Sequence, residues 1–410
     1  MKESKALDVY LNDVFVGELA QLFDGRTYLA FAESYIADTA RPVLSLSYKN
    51  IFNHIEARSQ PPVVGLPPFF SNLLPEGRLR KYLATKAGVK ETQDFRLLIA
   101  LKDDLPGAVI LRSKEDTGSE GSSVSTSESE VPSNNQALRF SLAGVQMKFS
   151  GNLKDDKLAI PARGIGGHWI LKLPSPAYPH VIELEYSMLT LARAMGIGVP
   201  DFRLISTRDI ENMPPDVPES LQGNALISRR FDRTDKGGRI HMEDFAQICA
   251  VRDKYDESFN YQSIANVIWQ EAGLDATVEY VRRLVHMVLT GNADMHLKNW
   301  SLTYPDGVHA NLSPAYDFVS TIVYSDLDKR LPHKIAAVND FTKVELETFK
   351  DFAKIAGLPQ RPVANTVLES VASLKEQWLK VKHDLPLPSS FVRDIDEHMS
   401  TVPLANQRRH

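Results

Sequence analysis

The sequence predicts an α+β fold with two lobes, a small β-rich N-terminal lobe and a mostly α-helical C-terminal lobe. Short runs of β-branched and aromatic residues, separated by turn residues, dominate the first part of the chain. After about residue 257, apolar residues instead recur every three or four positions, which is the spacing of amphipathic helices. At 410 residues the chain is too long for one compact core, so we expect two or three domains.

Composition sets the broad class of the protein. The 47 basic and 52 acidic residues give a net charge of −5, which provides no strong positive field for nucleic acid. The single cysteine, Cys249, excludes an intrachain disulfide and a cysteine-cluster metal site. The first residues are polar, and no apolar run reaches the ~18 residues that suggest a membrane span. We therefore expect a soluble, cytoplasmic protein.

Residues 1–112 are predicted to form an N-terminal α+β subdomain. Residues 7–11 and 14–19 are β-type runs joined by Asn12-Asp13, an arrangement typical of a hairpin. Five prolines between residues 61 and 75 predict an extended, turn-rich stretch. The other expected elements are strands at 28–31 and 108–111 and a helix at 78–87.

Residues 113–136 differ sharply in composition from the rest of the chain. They are rich in serine and glutamate, and their only aliphatic residues are Val124 and Val131. A stretch with so little apolar surface cannot bury enough area to offset the loss of chain entropy. We therefore predict a disordered, serine-rich linker.

The rest of the chain divides at a candidate hinge near residues 229–233. Residues 137–230 are predicted to complete the β-rich N-lobe, and residues 231–410 are predicted to form the helical C-lobe. In the first part, strands at 169–173 and 225–228 flank an amphipathic helix at 181–195. In the second part, helices are expected at 261–271, 276–290, 343–356, 363–382 and 391–399.

The stretch from Gly291 to Asn299 is the most informative for chemistry. Asp294 and Asn299 are separated by the same interval as the aspartate and asparagine of the protein-kinase catalytic loop. Phosphoryl transfer needs a carboxylate to orient and deprotonate a hydroxyl, and oxygen ligands for magnesium. Asp317 lies downstream at a distance that suits a second metal ligand. Taken alone, such an Asp-x4-Asn pattern is more often a pair of turn caps, and His296 a packed core histidine.

Lys172 strengthens the catalytic interpretation, because it interrupts an apolar strand. A lysine buried there needs a charged partner or a ligand. Glu185 on the following helix can pair with Lys172 and so place it on ATP phosphates. The alternative is an edge strand that leaves Lys172 in solvent.

Two further stretches favour a nucleotide site. Residues 141–148 place Gly144 in a short loop whose backbone N–H groups can cradle phosphates, although one glycine is a weak signal by itself. Residues 229–233 end a strand at the lobe boundary, where backbone groups can hydrogen-bond adenine. Together with Lys172 and the loop around Asp294, these stretches predict a bilobal, protein-kinase-like fold.

Seven motifs in one order resemble the HipA family, serine/threonine kinase toxins of bacterial toxin–antitoxin modules. The motifs are FFSNLLPEG (69–77), SLAGVQMK (141–148), ILKLP (170–174), RFDR (230–233), EDF (243–245), DMHLKN (294–299) and YD (316–317). The resemblance covers nearly the whole chain except the serine-rich insert and the far C-terminus. The chain differs from the family pattern at two places. Arg229 stands where some members carry glutamate, and a lysine-rich loop that contacts DNA in some members is shortened in this chain after Lys334.

The resemblance implies a role for each site residue. Asp294 would be the catalytic base, Asn299 and Asp317 the Mg²⁺ ligands, and Lys172, paired with Glu185, a ligand of the ATP phosphates. Residues 137–230 would then be the nucleotide-binding part of the N-lobe, and residues 231–410 the catalytic C-lobe. The other expected ATP-binding residues are the phosphate loop of Ala143, Gly144, Val145, Gln146, Met147 and Lys148, the adenine hinge of Arg229, Arg230 and Phe231, and His296, Lys298 and Tyr316.

The same resemblance implies an activity, a means of control and partners. Ser141 matches the family's autophosphorylated serine, whose modification expels the phosphate loop and switches the kinase off. The expected activity is an ATP- and Mg²⁺-dependent protein kinase that phosphorylates an aminoacyl-tRNA synthetase. The expected partner is a helix-turn-helix antitoxin that links the chain to operator DNA, with no membrane involved. A small-molecule or lipid kinase is the alternative enzyme, and a pseudokinase corepressor is the alternative without enzymatic activity.

Overall fold

The computed structural model describes residues 5–50, 52, 54, 55, 58, 60–113, 148–154, 157–160, 167–213 and 221–407. These residues form an N-terminal unit (residues 5–113), a sheet-based N-lobe (residues 148–229) and a mostly helical C-lobe (residues 230–407). The predicted α+β class, with strands first and most helices later, is confirmed. The predicted linker lies outside the described residues except for Ser113.

The N-terminal unit is a five-stranded antiparallel sheet with short helices packed against it. Its elements are β1 (Lys5–Leu11), β2 (Val14–Gln21), β3 (Arg26–Phe31), α1 (Glu33–Ala37), β4 (Val63–Val64), α2 (Pro68–Ser71), α3 (Gly77–Lys86), α4 (Asp94–Leu101) and β5 (Val109–Ser113). The strand order is β4-β3-β2-β1-β5. β1 and β2 form the predicted hairpin, and Asn12 takes the left-handed conformation in its turn, with φ 51°.

Side chains of β1 contribute to the core of this unit, because apolar residues alternate along the strand and so share one face. Leu7, Val9 and Leu11 are buried and join Phe69 and Phe70 of α2 in one hydrophobic cluster. α4 was not predicted, because its sequence, DFRLLIAL, is a near-continuous apolar run without a clear helical period.

The N-lobe is a six-stranded sheet with one long helix packed against it. Its elements are β6 (Lys148–Lys154), β7 (Lys157–Ala159), β8 (Trp169–Lys172), α5 (Val181–Ala194), β9 (Phe202–Ser206), β10 (Ile210–Glu211) and β11 (Asn224–Arg229). The strand order is β10-β7-β6-β8-β11-β9. β8 pairs antiparallel with β6 on one side and with β11 on the other. β8 is therefore an interior strand, not the edge strand considered as the alternative.

The C-lobe is built around one long helix. Its elements are β12 (His241–Asp244), α6 (Phe245–Ile248), α7 (Tyr261–Thr290), β13 (Ser301–Tyr304), β14 (Asn311–Leu312), β15 (Arg330–Ile335), β16 (Val338–Asp340), α8 (Leu346–Ile355), α9 (Gln360–Val381) and α10 (Ser389–Thr401). α7 joins the two helices predicted at 261–271 and 276–290 across a kink at Gly273, whose φ of 79° favours glycine. Within the described part of the chain, no helix combines the length and apolar character needed to cross a bilayer.

The C-lobe also contains strands that were not predicted. β12, β13 and β14 form a small antiparallel sheet, and β15 pairs with β16. The first three strands have four residues or fewer, too few to show a period of two in the sequence. Tertiary pairing therefore determines their conformation.

A buried charge cluster joins the N-terminal unit to the start of the C-lobe. Asp232 accepts hydrogen bonds from Arg230 Nη2 (2.8 Å) and Arg233 Nη1 (2.7 Å). It also accepts one from the backbone N–H of Gly107 (2.9 Å). Both arginines contact Asp104 as well, at 2.9 and 3.2 Å. Burial alone would raise the pKa of Asp232, but the two guanidinium groups hold it below its usual value.

The Asp232→Asn substitution should lower the free energy of unfolding by about 3 kcal/mol, because it removes the more buried of the two carboxylates that the guanidinium groups of Arg230 and Arg233 share. Asp235→Asn is the matched control. Asp235 also pairs with an arginine, Arg229, but its side chain is 83% exposed, so its loss should cost less than ~1 kcal/mol. Urea denaturation measures the free energy of unfolding of both variants. Equal losses would contradict the role assigned to the cluster.

Candidate active site

A large cleft of about 2380 Å³ lies where the N-terminal unit, the N-lobe and the C-lobe meet. Every predicted site residue that the structure describes lines this cleft. These residues are Lys148, Lys172, Glu185, Arg229, Arg230, Phe231, Asp294, His296, Lys298, Asn299, Tyr316 and Asp317. The other predicted site residues lie outside the described part of the chain; they are Ser141, Ala143, Gly144, Val145, Gln146 and Met147.

Lys172 is the centre of a buried charge network. Its Nζ pairs with Glu185 Oε1 on α5 and with Asp317 Oδ1, and its side chain is 6% exposed. Lys148 is directly opposite Lys172 in the register of β6 and β8, and its Nζ lies 2.8 Å from Asp317 Oδ2. Each carboxylate oxygen of Asp317 therefore contacts an ammonium group.

These groups shift one another's pKa values. Burial alone would lower the pKa of Lys172, but the carboxylates of Asp317 and Glu185 raise it above its usual value. Burial alone would raise the pKa of Asp317, but Lys148 and Lys172 hold it well below its usual range. Burial raises the pKa of Glu185 despite the neighbouring Lys172. At neutral pH, Lys172 is therefore protonated and Asp317 carries a negative charge.

The backbone at Asp317 is unusual. Its φ is 56°, a left-handed conformation that residues other than glycine adopt rarely and often at functional sites. The next residue, Phe318, is buried, and its ring stacks on that of His286 in α7 with 4.8 Å between centroids. This packing anchors the chain directly after the strained residue.

The loop that carries Asp294 begins where α7 ends. Gly291 ends the helix with φ 70°, and a Cβ at this position would lie 2.4 Å from Ile322 Cγ1, so the site requires glycine. Asn292 Oδ1 accepts a hydrogen bond from the Asp294 N–H (3.0 Å). Asn299 Nδ2 donates to the Asp294 carbonyl oxygen (2.7 Å). The backbone of Asp294 is thus fixed from both sides.

The carboxylate of Asp294 faces the cleft and is 48% exposed. Its Oδ1 accepts a hydrogen bond from the Tyr255 hydroxyl (2.7 Å) and lies 3.8 Å from His296 Nε2. Partial burial raises the pKa of Asp294. Burial lowers the pKa of His296 to about 3, so this imidazole is neutral at pH 7. Asp294 is therefore an accessible carboxylate that can accept a proton from a hydroxyl group.

Asn299 and Asp317 are the oxygen donors that could hold a cation. Across the described ranges, no group of three His, Cys, Asp or Glu residues is arranged to hold a metal ion. A cation in this cleft would therefore need oxygen atoms from its ligand in addition to these two side chains. Mg²⁺ is commonly bound in this way, through one or two carboxylates and the phosphates of a substrate.

The backbone donors at the predicted adenine hinge are partly used within the protein. The N–H of Arg229 donates to the carbonyl oxygen of Asp201 (2.7 Å), and that of Arg230 donates to His168 (2.8 Å). The Arg230 side chain belongs to the buried cluster around Asp232. A purine contact at these two positions would therefore use other atoms.

Two aromatic rings line the same end of the cleft. The rings of Phe231 and Tyr316 lie 5.7 Å apart, tilted by 36°. The Tyr316 hydroxyl donates to the carbonyl oxygen of Lys298 (2.9 Å) and also contacts Ser301 Oγ (2.5 Å). These bonds hold the Tyr316 ring in place, and the pair of rings offers an apolar wall to a planar ligand.

The sequence had assigned no individual role to four residues that line the cleft: Asn72, Glu76, Lys254 and Tyr255. Lys298 Nζ contacts Glu76 Oε1 (2.8 Å) and the carbonyl oxygen of Asn72 (3.2 Å). Lys254 Nζ lies 3.2 Å from Glu76 Oε2, and Tyr255 contacts Asp294. Asn72 and Glu76 both lie in the FFSNLLPEG motif, but no sequence pattern places this motif beside a loop 222 positions later.

Family models match most of the chain. The HipA N-terminal domain matches residues 7–112, and the HipA-like C-terminal domain matches residues 140–378. A Sinorhizobium fredii protein named "Putative kinase Y4dM" is 43% identical over 409 residues and covers 98% of each chain. The "Serine/threonine-protein kinase toxin HipA" of Shewanella oneidensis is 24% identical and covers 98% of this chain and 95% of its own.

The fold is similar to that of a solved structure. A chain of the Shewanella oneidensis MR-1 toxin–antitoxin complex of HipA, HipB and operator DNA superposes with a TM-score of 0.71. It is 19% identical, and the match covers 97% of this chain and 96% of that chain. This similarity confirms the predicted fold class. Because the C-terminal family model alone spans more than half of the chain, and a 43% identical relative aligns along nearly all of it, the chain belongs to the HipA family.

Proposed function

We propose that the chain is a serine/threonine protein kinase that uses ATP and Mg²⁺ and acts as the toxin of a toxin–antitoxin module. One observation carries the proposal: the buried Lys172 pairs with Glu185 and Asp317 in the cleft that also contains Asp294 and Asn299. Burying these charges costs free energy of desolvation that their pairing offsets only in part, so a buried cluster of this kind is more typical of a functional site than of a purely structural one. Phosphoryl transfer requires such a set of charges. Relatives named as kinases support the same activity.

Asp294 would act as the general base. Its backbone is fixed by Asn292 and Asn299, so the direction of its carboxylate is set before a substrate arrives. Tyr255 donates to Oδ1, which leaves Oδ2 to accept the proton of an incoming serine or threonine hydroxyl. The exposed half of the Asp294 side chain gives that hydroxyl access.

The residues of the cleft fit a nucleotide with its metal ion. When bound, Mg²⁺-ATP supplies the phosphoryl group and the cationic charge that stabilises its transfer. Asn299 and Asp317 would hold the metal ion, and Lys172 and Lys148 would bind the phosphates. Glu185 would keep Lys172 in place, because it pairs with Lys172 independently of Asp317.

The substrate and partner are proposed on the family resemblance. An aminoacyl-tRNA synthetase would be the phosphorylated protein, and its modification would arrest translation. The Shewanella oneidensis neighbour is a complex of HipA, HipB and operator DNA, which supports a helix-turn-helix antitoxin as the partner of this chain. Operator DNA would be reached through that antitoxin.

Asp294→Asn and Asp317→Asn should each abolish transfer of the labelled γ-phosphate of ATP to protein in a cell lysate. The first removes the base at nearly constant shape and should leave ATP binding largely intact, whereas the second removes the charge that holds the metal ion. Asp306→Asn is the matched control, because Asp306 is an exposed residue of a surface turn. Gel autoradiography measures the transfer.

Near-normal labelling by either active-site variant would contradict the kinase assignment. Label found only in small molecules or lipids, with none in protein bands, would favour the alternative phosphotransferases.

Phosphorylation of Ser141 should switch the kinase off. A phosphate at this position brings about −1.5 to −2 charges and would compete with the ATP phosphates for the N–H groups of the predicted loop at 143–148. Calorimetric titration should show that wild-type protein loses ATP affinity during incubation with Mg²⁺-ATP, whereas Ser141→Ala keeps it. Ser141→Asp should bind ATP weakly from the start. Complete phosphorylation of Ser141 with unchanged ATP affinity would rule out the switch.

A further inference from the structure

Glu76 is a charged residue of the N-terminal unit that lines the cleft. Glu76 directly precedes α3, at the N-cap position, where a side chain commonly accepts a hydrogen bond from its own helix. Glu76 makes no such bond. Its Oε1 instead lies 2.8 Å from Lys298 Nζ, and its Oε2 lies 3.2 Å from Lys254 Nζ. One carboxylate of the N-terminal unit thus bridges two lysines of the C-lobe.

Lys298 lies on the same loop as the proposed base Asp294 and directly precedes the proposed metal ligand Asn299. Its side chain is 17% exposed. Its ammonium group has a second acceptor in the carbonyl oxygen of Asn72, at 3.2 Å. Glu76 and Asn72 both belong to the N-terminal unit, so the position of this ammonium group depends on that unit.

The segment that presents Glu76 is firmly docked on the C-lobe. Asn72 Nδ2 donates to the carbonyl oxygen of Val251 (2.8 Å), and Arg252 Nη2 donates to that of Leu66 (2.7 Å). The carbonyl oxygen of Lys254 in turn accepts a hydrogen bond from the Leu297 N–H (3.2 Å). A continuous series of contacts therefore connects the N-terminal unit to the loop that carries Lys298.

The bridge is ionic at physiological pH. Burial by itself would raise the pKa of Glu76, but the ammonium groups of Lys298 and Lys254 lower it to about 2. The carboxylate therefore stays charged and can hold both lysines.

We propose that Glu76 is a positioning residue of the catalytic centre: it fixes the ammonium group of Lys298 on the loop between Asp294 and Asn299, so that phosphoryl transfer depends on the docked N-terminal unit. This inference rests on the proposed kinase function. A charge held in place before the reaction stabilises a transition state better than one that must first be oriented. Lys298 is itself one of the expected ATP-binding residues, but the other proposed phosphate ligands, Lys172 and Lys148, pair with Glu185 and Asp317 and not with Glu76. ATP binding should therefore depend on Glu76 much less than phosphoryl transfer does.

Glu76→Gln tests the proposal, because it keeps the shape of the side chain and removes its charge. The kcat for label transfer from ATP should fall about tenfold or more, while the KM for ATP should change by less than about twofold. Glu271→Gln is the matched control. Glu271 of α7 pairs with Lys49 of the N-terminal unit at 3.0 Å, and neither residue lines the cleft. This variant should keep the wild-type kcat, and both variants should unfold at similar temperatures.

A double-mutant cycle tests whether Glu76 acts through Lys298. Adding Glu76→Gln to Lys298→Met should cause no further loss of kcat, because the group that Glu76 positions is already absent.

Three results would overturn the proposal while leaving the kinase function intact: wild-type kcat in Glu76→Gln, an equal loss of kcat in Glu271→Gln, or a raised KM for ATP at constant kcat in Glu76→Gln. Absence of phosphate transfer by the wild-type protein would instead contradict the proposed function itself.

Discussion

The ammonium group of Lys172 connects three segments of the cleft, because it pairs with Glu185 on α5 and with Asp317 after β14 while its backbone belongs to β8. A lysine buried in a central strand would cost several kcal/mol without partners. The carboxylates of Glu185 and Asp317 can pair with Lys172 only when α5 packs on the sheet and the C-lobe packs against the N-lobe. The charge pairs therefore couple the position of Asp317 to the folding of the N-lobe.

Charge pairs also connect the other parts of the molecule, through the buried Asp232 and the partly exposed Glu76. Asp232 joins two arginines to the backbone of the N-terminal unit, and Glu76 joins that unit to two lysines of the C-lobe. Such pairs are directional, and removing one partner leaves an unpaired charge, so they favour the docked arrangement of the parts. All three parts of the molecule thus contribute side chains to one cleft.

Elements with a strong local pattern could be predicted from the sequence, whereas contacts between distant segments could not. The β1–β2 hairpin follows from its Asn12-Asp13 turn, and α5 from its apolar stripe. Pairing of Lys172 with Glu185 could be anticipated, since a lysine within an apolar strand needs a charged partner. The contacts of Glu76 and Tyr255 could not, because they arise only when the parts dock. Residues 141 and 143–147 lie outside the described part of the chain, so their roles stay predictions.

If the Lys172 network is a site for ATP and Mg²⁺, the affinity of the protein for ATP must depend on the metal ion. Isothermal titration of ATP into the wild-type protein, once with Mg²⁺ and once with excess EDTA, measures this dependence most directly. Binding that is clearly tighter with Mg²⁺ is the predicted result, because Asp317 can hold the metal ion and Lys172 the phosphates. Absence of binding, or equal affinity with and without Mg²⁺, would contradict the assignment of this cleft.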